Sequence, residues 1–123
     1  MEYRKFIDAV QKLGFIQDEQ TADAAVKAVL GILASSVNHS MAQNLASVLP
    51  EPLDYERLRG HQARPVAITP ERYIKDMVAQ FGWREDEARA AIVAVLDKAR
   101  DAVQNNEIRI LIETLLYDLG AGS

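Results

Sequence analysis

Residues Ala22–Leu30 read ADAAVKAVL, and residues Ala88–Leu96 read ARAAIVAVL. Six of the nine aligned positions are identical, and Val26 against Ile92 is a conservative pair. Both stretches repeat small and aliphatic residues at three- and four-residue steps, the spacing of one helical face. In the first, Ala22, Val26, Val29, Leu33 and Val37 form a stripe, and Ala24, Ala25 and Ala28 widen it beyond a single face. A helix that is apolar over much of its circumference is central in its domain, and alanine lets neighbouring helices approach closely. Two buried helices are predicted, from about Asp18 to Ser36 and from about Glu85 to Gln104.

The likeness extends outward on both sides. Upstream, Val10, Leu13, Gly14 and Phe15 correspond to Val78, Phe81, Gly82 and Trp83, with a two-residue difference in spacing. Downstream, Leu45, Leu49 and Leu53 correspond to Leu111, Leu115 and Leu119. Three matching blocks in one order define an internal repeat. Each copy begins with an amphipathic helix, carrying Phe6, Val10 and Leu13 in one and Ile74, Val78 and Phe81 in the other. Thr69-Pro70 supplies a hydroxyl N-cap and a proline at the first helical position of the second copy. Gly14 and Gly82 stand where these helices should stop. A Schellman ending at each glycine would bring Phe15 onto Val10 and Trp83 onto Val78. The acids that follow, Asp18-Glu19 and Glu85-Asp86-Glu87, suit the positive end of the next helix. A third helix in copy one carries Ala42, Leu45, Ala46 and Leu49 and stops at Pro50-Glu51-Pro52. Its counterpart carries Ile108, Leu111, Ile112, Leu115 and Leu119.

The expected fold is therefore all-α, with about six helices as two pseudo-symmetric three-helix repeats in one helical bundle. Repeat one spans 1–53, an irregular connection 54–69, repeat two 70–119 and a flexible tail 120–123. The 123 residues, 49% apolar and 26% charged, have the composition of one globular domain. A net charge of −4, from 14 basic and 18 acidic residues, disfavours a nucleic-acid surface. With no cysteine, disulfides and thiolate chemistry are excluded. The longest apolar stretch, Ala24 to Ala34, is broken by Lys27 and too short to span a membrane. The opening MEYRKFIDAV carries no apolar signal block, so a cytoplasmic location is expected.

Few residues carry chemistry. His39 and His61 lack a partner at ligand spacing, so no metal site is predicted. Ser36 and Ser40 flank His39 in a polar turn and read as helix caps. Gly14, Gly31, Gly60 and Gly82 are solitary, so there is no phosphate-cradling loop. No catalytic or cofactor-binding residue is assigned, and no cofactor is expected. Two candidate interaction features remain. In the connection, Arg57, Arg59 and Arg64 outnumber the two acids there and could meet an acidic partner or phosphate. In the last helix, Ile110, Leu116 and Tyr117 fall outside the main apolar face. They either seal the repeats together or form an exposed strip for a homodimer or partner helix.

The segments YRKFIDAV, AVKAVLGILA, LASVLPEPL, TPERYIKDMV and AAIVAVL together resemble a bacterial family catalogued as domain of unknown function two-two-six-seven. The resemblance covers almost the whole chain and its two-copy layout. It implies a small all-helical protein and supplies no activity or site residue. One departure is visible: Leu49-Pro50 closes the third helix of copy one, whereas copy two has Leu115-Leu116. The functional expectation is a non-enzymatic protein-interaction or binding module, with an unknown protein partner or self-association. The alternatives are a small helical enzyme with a site between the repeats, and a weak nucleic-acid binder acting through the basic connection.

Overall fold

The computed structural model describes residues 3–16, 18–35, 69–103 and 105–120. Five helices and no strands occur among the described residues: α1 (Tyr3–Gln11), α2 (Glu19–Ser35), α3 (Pro70–Phe81), α4 (Glu85–Ala102) and α5 (Asn106–Asp118). The chain is all-α. The sixth expected helix, around Leu45 and Leu49, lies outside the described residues, as do Val37 and the whole connection up to 68.

Local chemistry fixes where the helices begin. The Thr69 hydroxyl accepts from the Arg72 N–H at 3.2 Å, and Pro70 opens α3, as the sequence predicts. The Asp18 carboxylate accepts from the Thr21 N–H at 2.9 Å ahead of α2. The Glu87 side chain reaches back to the Arg84 N–H at 3.0 Å at the start of α4. Asn105 accepts from the Ile108 N–H at 3.1 Å and caps α5. Each of these satisfies an amide that the first helical turn leaves without a partner.

The two glycine endings differ from each other. Gly82 (φ 72) donates its N–H to Val78 O at 2.8 Å, the single-bond left-handed ending rather than the paired-bond Schellman form. Gly14 (φ 90) donates to Gln11 O at 3.3 Å, and Leu13 N–H to Val10 O at 3.1 Å tightens the last turn of α1. Consequently α1 stops three residues before its glycine, whereas α3 runs right up to Gly82.

The helix α4 packs against α1, α2, α3 and α5, and α2 packs against α1, α3 and α4. The two alanine-rich helices thus occupy the centre. Ala22, Ala25, Ala88, Ala91 and Ala99 are fully buried, which allows close helix approach, while Val29, Leu30, Leu33, Ile92, Val95 and Leu96 fill the core between them. Complete burial of such an aliphatic side chain contributes about 1.5–3 kcal/mol.

One face differs from expectation. The core side of α3 is centred on Tyr73 and Met77, both fully buried, with Ile74 beside them, while Val78 and Phe81 are only partly buried. The turn toward Tyr73 has a clear cause. Its hydroxyl donates to the Val29 carbonyl of α2, so the polar tip is satisfied and the ring can sit in the core.

Candidate functional site

The outer side of α5 is set by what its inner side buries. Ile108, Ile112, Leu115, Leu116 and Leu119 all point into the core, and Leu111 is partly buried. Both ends of the helix are tied to α4 or to Val103, the residue that caps α4. Arg109 donates to the Val103 carbonyl at 3.0 Å, and Arg89 to the Leu119 carbonyl at 3.4 Å. With the inner face so fixed, Ile110 and Tyr117 are left 62% and 69% exposed, the large apolar side chains most open to solvent among the described residues. Seven residues separate them, which is about two turns or roughly 10 Å along the axis. They share one side of the helix, with exposed Glu113 and Thr114 between them.

Leu116 does not belong to this strip. It is 2% exposed and is part of the core, so its place among the candidate surface residues is corrected. The inward arc of α5 is wide enough to take two consecutive positions, 115 and 116, which the narrower stripe read from the sequence does not allow. Arg57, Arg59 and Arg64 lie outside the described residues, as do His39, His61, Ser36 and Ser40.

A second feature was not anticipated. Tyr3, Arg4 and Ile7 of α1 face Glu19, Gln20 and Asp23 of α2 across an open groove of about 400 Å³. The Tyr3 hydroxyl donates to Asp23, and Lys27 pairs with the same carboxylate at 2.8 Å. Arg4 bridges Asp8 at 3.2 Å and Glu19. Burial, with the Asp23 hydrogen bond and charge adding to it, pushes the Tyr3 hydroxyl well above its ordinary pKa. Burial alone would raise the Asp23 carboxyl, but its hydrogen bonds from Lys27 and Tyr3 hold it below the usual carboxylate range. The charged side chains of the groove therefore engage one another, and Asp23 stays ionised. A general acid or base working near neutral pH needs a carboxyl shifted upward, and the Asp23 shift runs the other way. The Asp23/Lys27 spacing of four residues on one helix is legible in the sequence; the arrival of Tyr3 from twenty residues away is not.

The aromatic residues after the two glycines meet each other. Phe15 and Trp83 pack edge to face at 5.3 Å, and Trp83 stacks on Phe81 at 4.4 Å. All three rings lie against the core. The clasps expected from sequence paired Phe15 with Val10 and Trp83 with Val78 and did not foresee this junction between distant turns.

Among the described residues, no group of three or more His, Cys, Asp or Glu side chains could hold a metal ion. No described helix is long and apolar enough to cross a membrane. A family model described as "Uncharacterized conserved protein (DUF2267)" matches residues 3–120. Comparison with curated proteins and comparison with solved structures each gave no match.

Proposed function

The chain belongs to the DUF2267 family of uncharacterized conserved proteins, and on that premise we propose that it is a non-enzymatic protein-interaction module whose contact surface is the outer side of α5. The observation that carries this reading is the pair Ile110 and Tyr117, 62% and 69% exposed on one side of a helix whose ends are anchored to α4 or to its cap Val103. Leaving two large apolar side chains in water forgoes their burial energy, and a partner that covers them recovers it. A tyrosine with an aliphatic residue two turns away is the anchor spacing with which one helix grips an apolar surface on another protein. The downward shift of Asp23 gives no support to an acid–base site.

The bundle itself is proposed to be a duplication. α1 packs on α4, and α3 packs on α2. This reciprocal crossing is what an approximate twofold between copies requires, and the Phe15–Trp83 junction joins equivalent positions. These features support the two-repeat layout, in which α5 is the third helix of the second copy.

The double variant Ile110→Glu with Tyr117→Glu tests the contact. Both sites are exposed, so helicity and thermal midpoint should match the original chain. Self-association by light scattering and retention of a protein partner on the immobilised chain should both be measured. Loss of an association in the variant is expected. Undiminished association by a folded variant would overturn the assignment of α5.

A further inference from the structure

We propose that the groove between α1 and α4 binds a small multivalent phosphate, of the size and charge of pyrophosphate or a diphosphate ester. This site is separate from the outer side of α5. Lys5, Asp8, Ala9 and Lys12 fall at three-, one- and three-residue steps along one side of α1, and Ala94, Asp97 and Lys98 line α4 opposite them. The short side chains of Ala9 and Ala94 leave an open space of about 470 Å³, within the range of small-molecule sites.

The charges in the groove are unevenly matched. Asp8 is held by Arg4 at 3.2 Å and Asp97 by Arg100, so each carboxylate has an arginine from its own helix. The side chains of Lys5, Lys12 and Lys98 form no ion pair or hydrogen bond among the described residues. Three lysines, Lys5, Lys12 and Lys98, thus line the groove against two carboxylates, Asp8 and Asp97. This local excess of positive charge sits on a chain whose net charge is −4. An excess that opposes the overall sign concentrates the field where an anion can enter.

The nature of the side chains selects the ligand. A lysine ammonium is a compact point charge with three donors, and it binds phosphate oxygens as a point charge. Three such groups from two helices suit an anion with charge at more than one centre. A net charge of −4 disfavours an extended nucleic acid, whose binding rests on a basic footprint. A bound diphosphate would also link α1 to α4, so it would stabilise the fold by mass action.

The test is calorimetric titration of the intact chain with inorganic pyrophosphate at low and at physiological salt, with thermal midpoints read in parallel. Saturable 1:1 binding that weakens with salt and raises the midpoint is expected. The variant Lys12→Ala with Lys98→Ala should lose at least tenfold in affinity. A second variant, Lys5→Ala with Lys12→Ala, uses two exposed positions and should lose as much. Lys75→Ala, at an exposed position on α3, should bind as the original does. The proposal is overturned if pyrophosphate does not bind saturably. It is equally overturned if Lys75→Ala weakens binding as much as the groove variants, or if orthophosphate binds as tightly as pyrophosphate.

Discussion

Replacing Tyr73 with Phe removes one hydroxyl from the centre of the bundle and keeps the ring that fills the space. Tyr73 is fully buried, and its hydroxyl donates to the Val29 carbonyl, so this one bond ties α3 to the middle of α2. The ring volume is retained, so the cost is the hydrogen bond. A net protein hydrogen bond contributes about 1 kcal/mol, within about 0.5–1.5. In urea, with a slope of roughly 1–3 kcal/mol per molar, the midpoint should fall by about half a molar while the slope stays the same. Tyr73→Ala adds a cavity and should cost about 3–5 kcal/mol. Tyr117→Phe, 69% exposed, should change stability by less than about 0.5 kcal/mol. Urea unfolding followed by far-ultraviolet circular dichroism measures all three. Alkaline pH adds a second check. Burial pushes the Tyr73 pKa well above its ordinary value. Above about pH 10 the unfolded chain loses this proton while the folded chain keeps it. The Tyr73 contribution is thus complete below about pH 10 and is lost progressively above it, by at most about 1.4 kcal/mol per pH unit. The stability gap between the original chain and Tyr73→Phe should narrow there. If Tyr73→Phe is as stable as the original at neutral pH and the gap does not change with alkali, the hydroxyl does not tie α3 to α2.

Further outcomes follow from other sites. Leu116→Ala should cost about 2–5 kcal/mol in urea unfolding because the side chain is 2% exposed, whereas Ile110→Ala should cost less than about 0.5 kcal/mol. Gly82→Ala should lose about 1 kcal/mol through its left-handed backbone alone, since an added Cβ meets nothing within 4 Å; Gly82→Asn should lose less, as calorimetric midpoints would show. Asp23→Asn should flatten acid denaturation. Because the folded Asp23 pKa is depressed, its contribution is present above the ordinary carboxylate range and disappears as pH falls through the folded value. The difference between the original and Asp23→Asn should therefore shrink between about pH 5 and pH 2, where circular dichroism against pH can follow it.

Sequence periodicity carried the all-α class and the five described helices. The alanine-rich blocks at 22–30 and 88–96 became the two central helices because a wide apolar arc has no other stable place. Thr69-Pro70 and Gly82 marked helix ends through local chemistry, which needs no tertiary information. Periodicity does not place Tyr73 in the core, because a residue with a polar tip is discounted from an apolar stripe. Its burial depends on a carbonyl 44 residues away that only the folded chain supplies. For a related reason periodicity leaves Leu116 outside the main apolar face, whereas the structure buries it. Periodicity gives the centre of a helical face but not its width, and width depends on how closely neighbours wrap it. Ile110 and Tyr117, seven residues apart, were legible as residues outside the stripe, because an isolated exposed pair leaves the buried pattern intact. The Tyr3–Asp23 pair and the lysine groove join different helices, and no single-helix pattern announces such a meeting.

The chain contains no cysteine, so one introduced thiol reports from one place. Thr114→Cys puts it on α5 between Ile110 and Tyr117, and Lys75→Cys puts it on an exposed site of α3. Each variant would carry a photoreactive maleimide label and be irradiated in lysate of the native host and as purified protein. A label at 114 is predicted to give a discrete crosslinked species that is absent with the label at 75. Ile110→Glu with Tyr117→Glu in the Thr114→Cys chain should abolish it. If labels at 114 and 75 give the same products, or if the products survive the two glutamates in a folded chain, the outer side of α5 is not the contact surface.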